Sequence, residues 1–285
     1  MSNNLNGILA LIPQSKEGEL VLKEALYFQQ TLGTRIFVLN VIKASSFFSQ
    51  KFQAKKVESL KNEAKQNLSH FVKNLIHKEI PKNIILRVKT GDVLSALIKE
   101  SEKGGYEFII VNKSKSSFKD ELSWKKIDEF VSRSYCPVLT VNKDFPVREI
   151  KKIIIPIDIS QSTKKRLLWA TLFAKKFNAK IIIVSALNIK INETKSLALK
   201  NAENIKQLLS KQGIDCDIKI LKFDKQEKHE VILEYIAKEK PELVIIRTHQ
   251  ESIFSGTNIH KFVSEIVHSC NMPVFTVNYT QKSQQ

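Results

Sequence analysis

Glycine and cysteine are both scarce in this chain. Its 285 residues hold eight glycines and three cysteines. Loops that cradle phosphate usually need glycine, so that backbone N–H groups can reach the ligand. The shortage therefore weighs against such loops. Cys136, Cys216 and Cys270 are an odd number with no paired spacing, which argues against a disulfide framework and a zinc knuckle. Cys136 and Cys270 stand beside the last strand pattern of each half and read as buried core thiols. No apolar run approaches the ~20 residues that span a bilayer. The opening MSNNLNGILALIPQSKEGE lacks the charged, apolar and small-residue regions of a signal peptide. No membrane association is expected, and the cytoplasm is the expected compartment. Ser-His-Asp arrangements, paired-carboxylate motifs and HExxH are also missing. Hydrolysis and metal catalysis thus have no support, and the chain is not expected to be an enzyme.

What the chain does have is a repeat. GILALIPQS (Gly7–Ser15) and KIIIPIDIS (Lys152–Ser160) are each an apolar run followed by a polar turn and a helical pattern. CPVLTVN (Cys136–Asn142) and MPVFTVN (Met272–Asn278) match in letters. The starts lie 145 residues apart and the ends 136, so the second copy is nine residues shorter. The second helix is the expected place for that difference. Two domains suit the length. They are expected at 1–143 and 150–280, with a linker at 144–149 inside KDFPVREIKK and a polar tail at 281–285.

Each half alternates strand and helix. The strand patterns of the first are Ile8–Ile12, Ile36–Val41, Ile84–Val88, Phe108–Val111 and Val138–Val141. Its helical patterns are Gly18–Leu32, Lys51–His77, Val93–Glu102 and Ile127–Ser134. The second half has strands at Ile153–Ile157, Ile181–Ser185, Asp217–Leu221, Leu243–Ile246 and Val274–Val277. Its helices are expected at Lys164–Phe177, Lys195–Gln212, His229–Lys238 and Ile259–Ser269. Continuous β-branched runs such as IIIPI mark strands buried on both faces of a parallel sheet. The expected fold is α/β: two tandem doubly wound units, each a five-stranded, mostly parallel sheet of order 3-2-1-4-5 flanked by helices.

Lysine and arginine outnumber aspartate and glutamate 46 to 29, a formal charge of +17. The lysines are spread along the chain and read first as solvated helix faces. The one dense cluster is Lys113, Lys115, Lys119, Lys125 and Lys126, beside Trp124. A nucleic-acid contact there is the weakest of three functional readings. Trp169, in LLWATLFAKKF, belongs to an apolar stripe.

The order of these elements resembles a tandem universal stress protein, over nearly the whole chain. Asp158 at the end of a first strand, Thr248–His249 after a fourth, and Cys136–Pro137–Val138 at a fifth carry the resemblance. So do the segments Ile153–Leu187 and Gly91–Val111. The resemblance implies that some relatives bind ATP through a loop of form G-x2-G-x9-G-[S/T] after the fourth strand. Here the matching positions of the second half are Arg247, Gln250, His260 and Lys261. In the first half they are Asn112, Lys115 and either Trp124 or Lys125, and Pro13 replaces the strand-one Asp. Both copies depart from the loop, so neither ATP nor AMP is expected as a cofactor.

The resemblance implies a non-catalytic stress-response protein that works through protein contacts. Its two end strands would pair the halves as an internal pseudo-dimer, with a homodimer also open. The alternative is a nucleotide or other small anion in an altered second-half pocket. That pocket would be built from Asp158, Arg247, Thr248, His249, Gln250, His260 and Lys261. Against it stands a decayed site whose bulky side chains fill the old cavity. His249, His260 and His268 do not have zinc spacing and read as structural or surface histidines. Asp158 alone could be a general base or a metal ligand, but an Asp at a strand end more often caps a neighbouring helix, a role for which Ser160 and Ser162 compete.

Overall fold

The computed structural model describes residues 6–42, 50–113, 122–157, 164–193, 196–248 and 261–277. The chain divides into two compact units, Met1–Val147 and Arg148–Gln285.

In the first unit the described elements are β1 (Gly7–Leu11), α1 (Lys16–Leu32), β2 (Arg35–Ile42), α2 (Gln50–Ile76), β3 (Ile84–Thr90), α3 (Val93–Glu102), β4 (Tyr106–Asn112), α4 (Trp124–Arg133) and β5 (Val138–Val141). The strands run parallel in the order β3-β2-β1-β4-β5. The second unit has β6 (Lys152–Pro156), α5 (Lys164–Phe177), β7 (Lys180–Asn188), α6 (Leu197–Ser210), β8 (Cys216–Phe223), α7 (Lys228–Glu239), β9 (Leu243–Arg247), α8 (Lys261–Ser269) and β10 (Val274–Val277). Its order, β10-β9-β6-β7-β8, is the same arrangement. The expected α/β fold and strand order are what the structure has. The shortened second helix is there too: α2 has 27 residues and α6 has 14.

The sequence explains the local choices. All five residues of GILAL in β1 are buried, as are IIIP of β6, because helices cover both faces of a parallel sheet. Ser15 caps α1, its Oγ accepting from the Gly18 N–H at 3.4 Å. The other end of α1 stops at Gly33, whose φ of +70° is left-handed and whose N–H reaches the Gln29 carbonyl at 2.9 Å. The matching corner after α5 is Asn178, with φ +53°, the other residue that tolerates this region. Phe28 packs edge-on against Phe108 with centroids 5.4 Å apart. Phe173, at the matching place, packs edge-on against Phe275 at 5.0 Å. Burial of each such ring contributes on the order of 1.5–3 kcal/mol. Trp169 joins this cluster, 5.1 Å from Phe275, as its apolar stripe suggests. Cys136, Cys216 and Cys270 are buried free thiols. Burial pushes the Cys136 thiol up to about 12, so little thiolate forms.

The two copies differ sharply at one core position. Where the second unit has Trp169, the first has Glu24, 5% exposed on α1. No hydrogen-bond or ion-pair partner faces its carboxyl among the described residues. Desolvation pushes Glu24 up to about 7 from an ordinary 4.5. Between those values the folded chain keeps a proton that the unfolded chain has released. Stability from this group is therefore complete below pH ~4.5 and declines as pH rises through ~7, by about 3 kcal/mol in all. Urea titrations at pH 5 and pH 8 should show this slope in the wild type. Glu24→Gln should remove most of it and gain stability at pH 8.

Candidate functional site

In an open parallel sheet, ligands sit beyond the carboxyl ends of the strands where the order reverses. In the first unit β1 lies at that point, between β2 and β4; in the second, β6 lies between β7 and β9.

Both units close the end of their first strand with a side chain from the second. Asn40 Nδ2 donates to the Ile12 carbonyl at 3.0 Å. Ser185 Oγ donates to the Ile157 carbonyl at 3.2 Å. The backbone agrees, with Ile12 N–H on Leu39 O and Ile157 N–H on Val184 O, both at 2.8 Å.

The first unit then seals itself. The turn after β1 passes Pro13 and packs its carbonyl against the first turn of α1. A Cβ placed on Gly18 would lie 1.8 Å from the Pro13 oxygen, so only glycine fits. At the end of β4 stands Asn112, 6% exposed, followed by Lys113 at 3%. Both amide atoms of Asn112, and the Oδ1 of Asn40, are buried without a hydrogen-bond partner. Counting along the registers Ile8↔Ile36 and Ile8↔Phe108 brings Asn40, Ile12 and Asn112 level across three adjacent strands. Asn40 escaped the sequence reading of the site, and Asn112 entered it only as a position where the loop glycine is missing. The signal was available in RIFVLNVI and YEFIIVN, where an amide interrupts an otherwise buried strand.

In the second unit, Arg247 ends β9 and is 6% exposed, and Thr248 is fully buried. The Thr248 N–H and Oγ1 both point to the Val277 carbonyl, at 3.2 and 3.4 Å. That threonine hydroxyl is thus engaged with the neighbouring strand end. Counting on from Ile154↔Val244 brings Ile157 level with Arg247. Lys261 is the exposed first residue of α8. Asp158, His249, Gln250 and His260 lie outside the described residues, as do Ser160 and Ser162. Of the seven expected pocket residues, the structure places Arg247 and Thr248 at one strand end and Lys261 at a helix start.

The basic cluster divides. Lys113 is buried, and Lys126 donates to Asp92 at 2.7 Å. That bond is the largest influence holding the Asp92 carboxyl below the usual carboxylate range. Two members of the linear cluster are thus not free surface cations, because one lysine enters the core and another is paired. Lys115, Lys119 and the side chains of Trp124 and Lys125 lie outside the described residues.

Two substitutions test this geometry by urea denaturation. Gly18→Ala in a helix would ordinarily stabilise by about 0.5–1 kcal/mol. Here it should destabilise by about 2 kcal/mol or more, because the blocking atom is backbone. Asn112→Val should stabilise by about 1 kcal/mol, because it removes an amide that pays desolvation without a bond.

Comparison with known proteins fits this architecture. Residues 149–278 match the model of the universal stress protein family. A universal stress protein from Archaeoglobus fulgidus is 18% identical, with a TM-score of 0.67 and 98% of each chain covered. A putative universal stress protein from Pseudomonas aeruginosa is 14% identical, with a TM-score of 0.61, 96% of this chain and 94% of that one covered. At such identities these two likenesses establish the fold. No curated protein matches the chain. No described helix is long and apolar enough to cross a membrane. The second unit, residues 149–278, is thus the part of the chain that matches the universal stress protein family, and the first unit repeats the same fold.

Proposed function

We propose that this protein is a non-catalytic, cytoplasmic stress-response protein that acts through protein contacts and binds no ATP. The supporting observation is the packing of the strand ends. Where a glycine loop would leave room for phosphates, Asn112, Lys113 and Arg247 are each more than nine-tenths buried. In this reading such side chains stand in place of the glycines that a triphosphate's backbone cradle would need. The contact surface proposed is the pair of end strands, VLTV and VFTV, each the outer strand beside the fourth strand of its unit. Their pairing would join the halves, and a second copy of the chain is a further candidate partner.

A second reading keeps a small anion, such as a nucleotide phosphate, in the second unit. It would use Asp158, Arg247, Thr248, His249, Gln250, His260 and Lys261. What favours it is the cationic start of α8: Lys261 stands there with no acidic residue in the first turn, so the helix's positive end is not offset.

Calorimetry on the full chain with ATP, ADP and AMP at millimolar concentration separates the two. The proposed function predicts no heat beyond dilution for all three nucleotides. Micromolar binding that is lost in Arg247→Ala would replace it with the second reading.

A further inference from the structure

One buried carboxylate in the first unit gathers three cations. Glu100, near the end of α3, is 1% exposed. Arg87 Nη1 lies 3.3 Å from its Oε2, and Lys89 Nζ lies 3.2 Å from its Oε1. Lys103 Nζ contacts the same Oε1. The Tyr106 hydroxyl donates to Oε2 at 2.9 Å and accepts from Arg87 Nη1. The guanidinium also lies over the Phe37 ring, 4.5 Å from its centroid.

The charges do not balance. Desolvation pushes the Glu100 carboxyl up, but its contacts with Lys103, Tyr106 and Lys89 outweigh this and hold it below its ordinary value. Burial, followed by the glutamate, pushes the Tyr106 hydroxyl up, so the phenol stays neutral. Three cations around one anion leave +2 on the cluster at neutral pH. One cation would neutralise the glutamate. Holding three long side chains at one carboxylate costs rotamer entropy and places like charges together.

The cluster is open to solvent on its cationic side. The side chains of Arg87, Lys89 and Lys103 are 26%, 43% and 44% exposed, while the glutamate beneath them is sealed. Arg87 and Lys89 are two residues apart on β3, the outer strand beside β2 of this unit, and so share one face of it. The Arg87 Nε and Nη2 carry no partner among the described residues. A planar fork with free donors, two ammonium groups and an excess of two charges together match a dianion with several acceptor oxygens.

We propose that Arg87, Lys89 and Lys103 form a binding site for a phosphoryl dianion, held in shape from below by Glu100 and Tyr106. Free phosphate and a phosphomonoester share this chemistry. A phosphodiester carries one charge per phosphate and matches it less well. The site shares no residue with the strand ends described above and stands whether or not the chain binds ATP.

The test is calorimetry or a phosphorus NMR titration of the full chain at pH 7.5, with chloride at matched ionic strength as background. Inorganic phosphate and glycerol 3-phosphate are the probes. Saturable binding of either supports the site; the tighter of the two identifies the source. Affinity should fall as pH drops through the second ionisation of the phosphoryl group, about 6 for a monoester and about one unit higher for inorganic phosphate. The double variant Lys89→Gln/Lys103→Gln changes two half-exposed residues. It should weaken binding by about tenfold or more through loss of two charge-assisted contacts. Lys73→Gln, at a surface lysine paired with Glu79, should leave binding unchanged. No saturable signal above chloride in the wild type would overturn the proposal, as would equal binding by the double variant. Binding of duplex DNA without any response to phosphate would overturn it as well.

Discussion

A strand covered on both faces cannot hand its polar atoms to water. Everything at the working end of these two sheets follows from that constraint. Just past each first strand a carbonyl, that of Ile12 or Ile157, is met from the side, by Asn40 in one unit and Ser185 in the other. The same chemical problem recurs at the same place, solved with an amide in one copy and a hydroxyl in the other. An amide has one more polar atom than the problem requires. Asn40 Oδ1 is the remainder, and with Asn112 it leaves the first unit a row of buried polar atoms that the second unit does not repeat among the described residues.

This divergence separates fold from site. The residues that make the fold are matched between copies: Phe28 with Phe173, the left-handed corner at Gly33 with that at Asn178, the end strand VLTV with VFTV. The residues at the strand ends are not. Pro13 turns the chain so tightly that Gly18 is fixed by the Pro13 carbonyl. Arg247 and Thr248 close the second unit by burial and by bonds to Val277. Selection on the core maintains an architecture; it does not require that the two crevices stay alike.

Most of the fold was legible because it is written in periodicity. IIIPI, RIFVLNVI and KIIIVSAL can only be strands buried on both faces, and the alternating helical patterns then leave few topologies. Strand and helix limits shifted by one to three residues, as at Lys180–Asn188, where the apolar run continues past the β-branched core. The site was less legible, for two reasons. Comparison with a glycine loop shows what is missing at Arg247 and Asn112 but not what a replacement side chain does. A charge count also treats every lysine alike. Lys113 is buried, Lys126 is paired, and Lys89 and Lys103 converge on a glutamate from separate elements, which no linear cluster reveals.

Glu24 has a bearing on how such a chain assembles. Tandem copies of one fold can dock a helix from one copy onto the sheet of the other, a misassembly typical of repeated domains. Helices α1 and α5 are close in length and share their phenylalanine anchors, so little in their apolar stripes tells them apart. The exchange would set the Glu24 carboxyl against Phe275, where Trp169 now stacks, and would thrust an indole into the place made for a carboxyl. At position 24 and its counterpart the two copies thus differ inside their cores as well as at their strand ends.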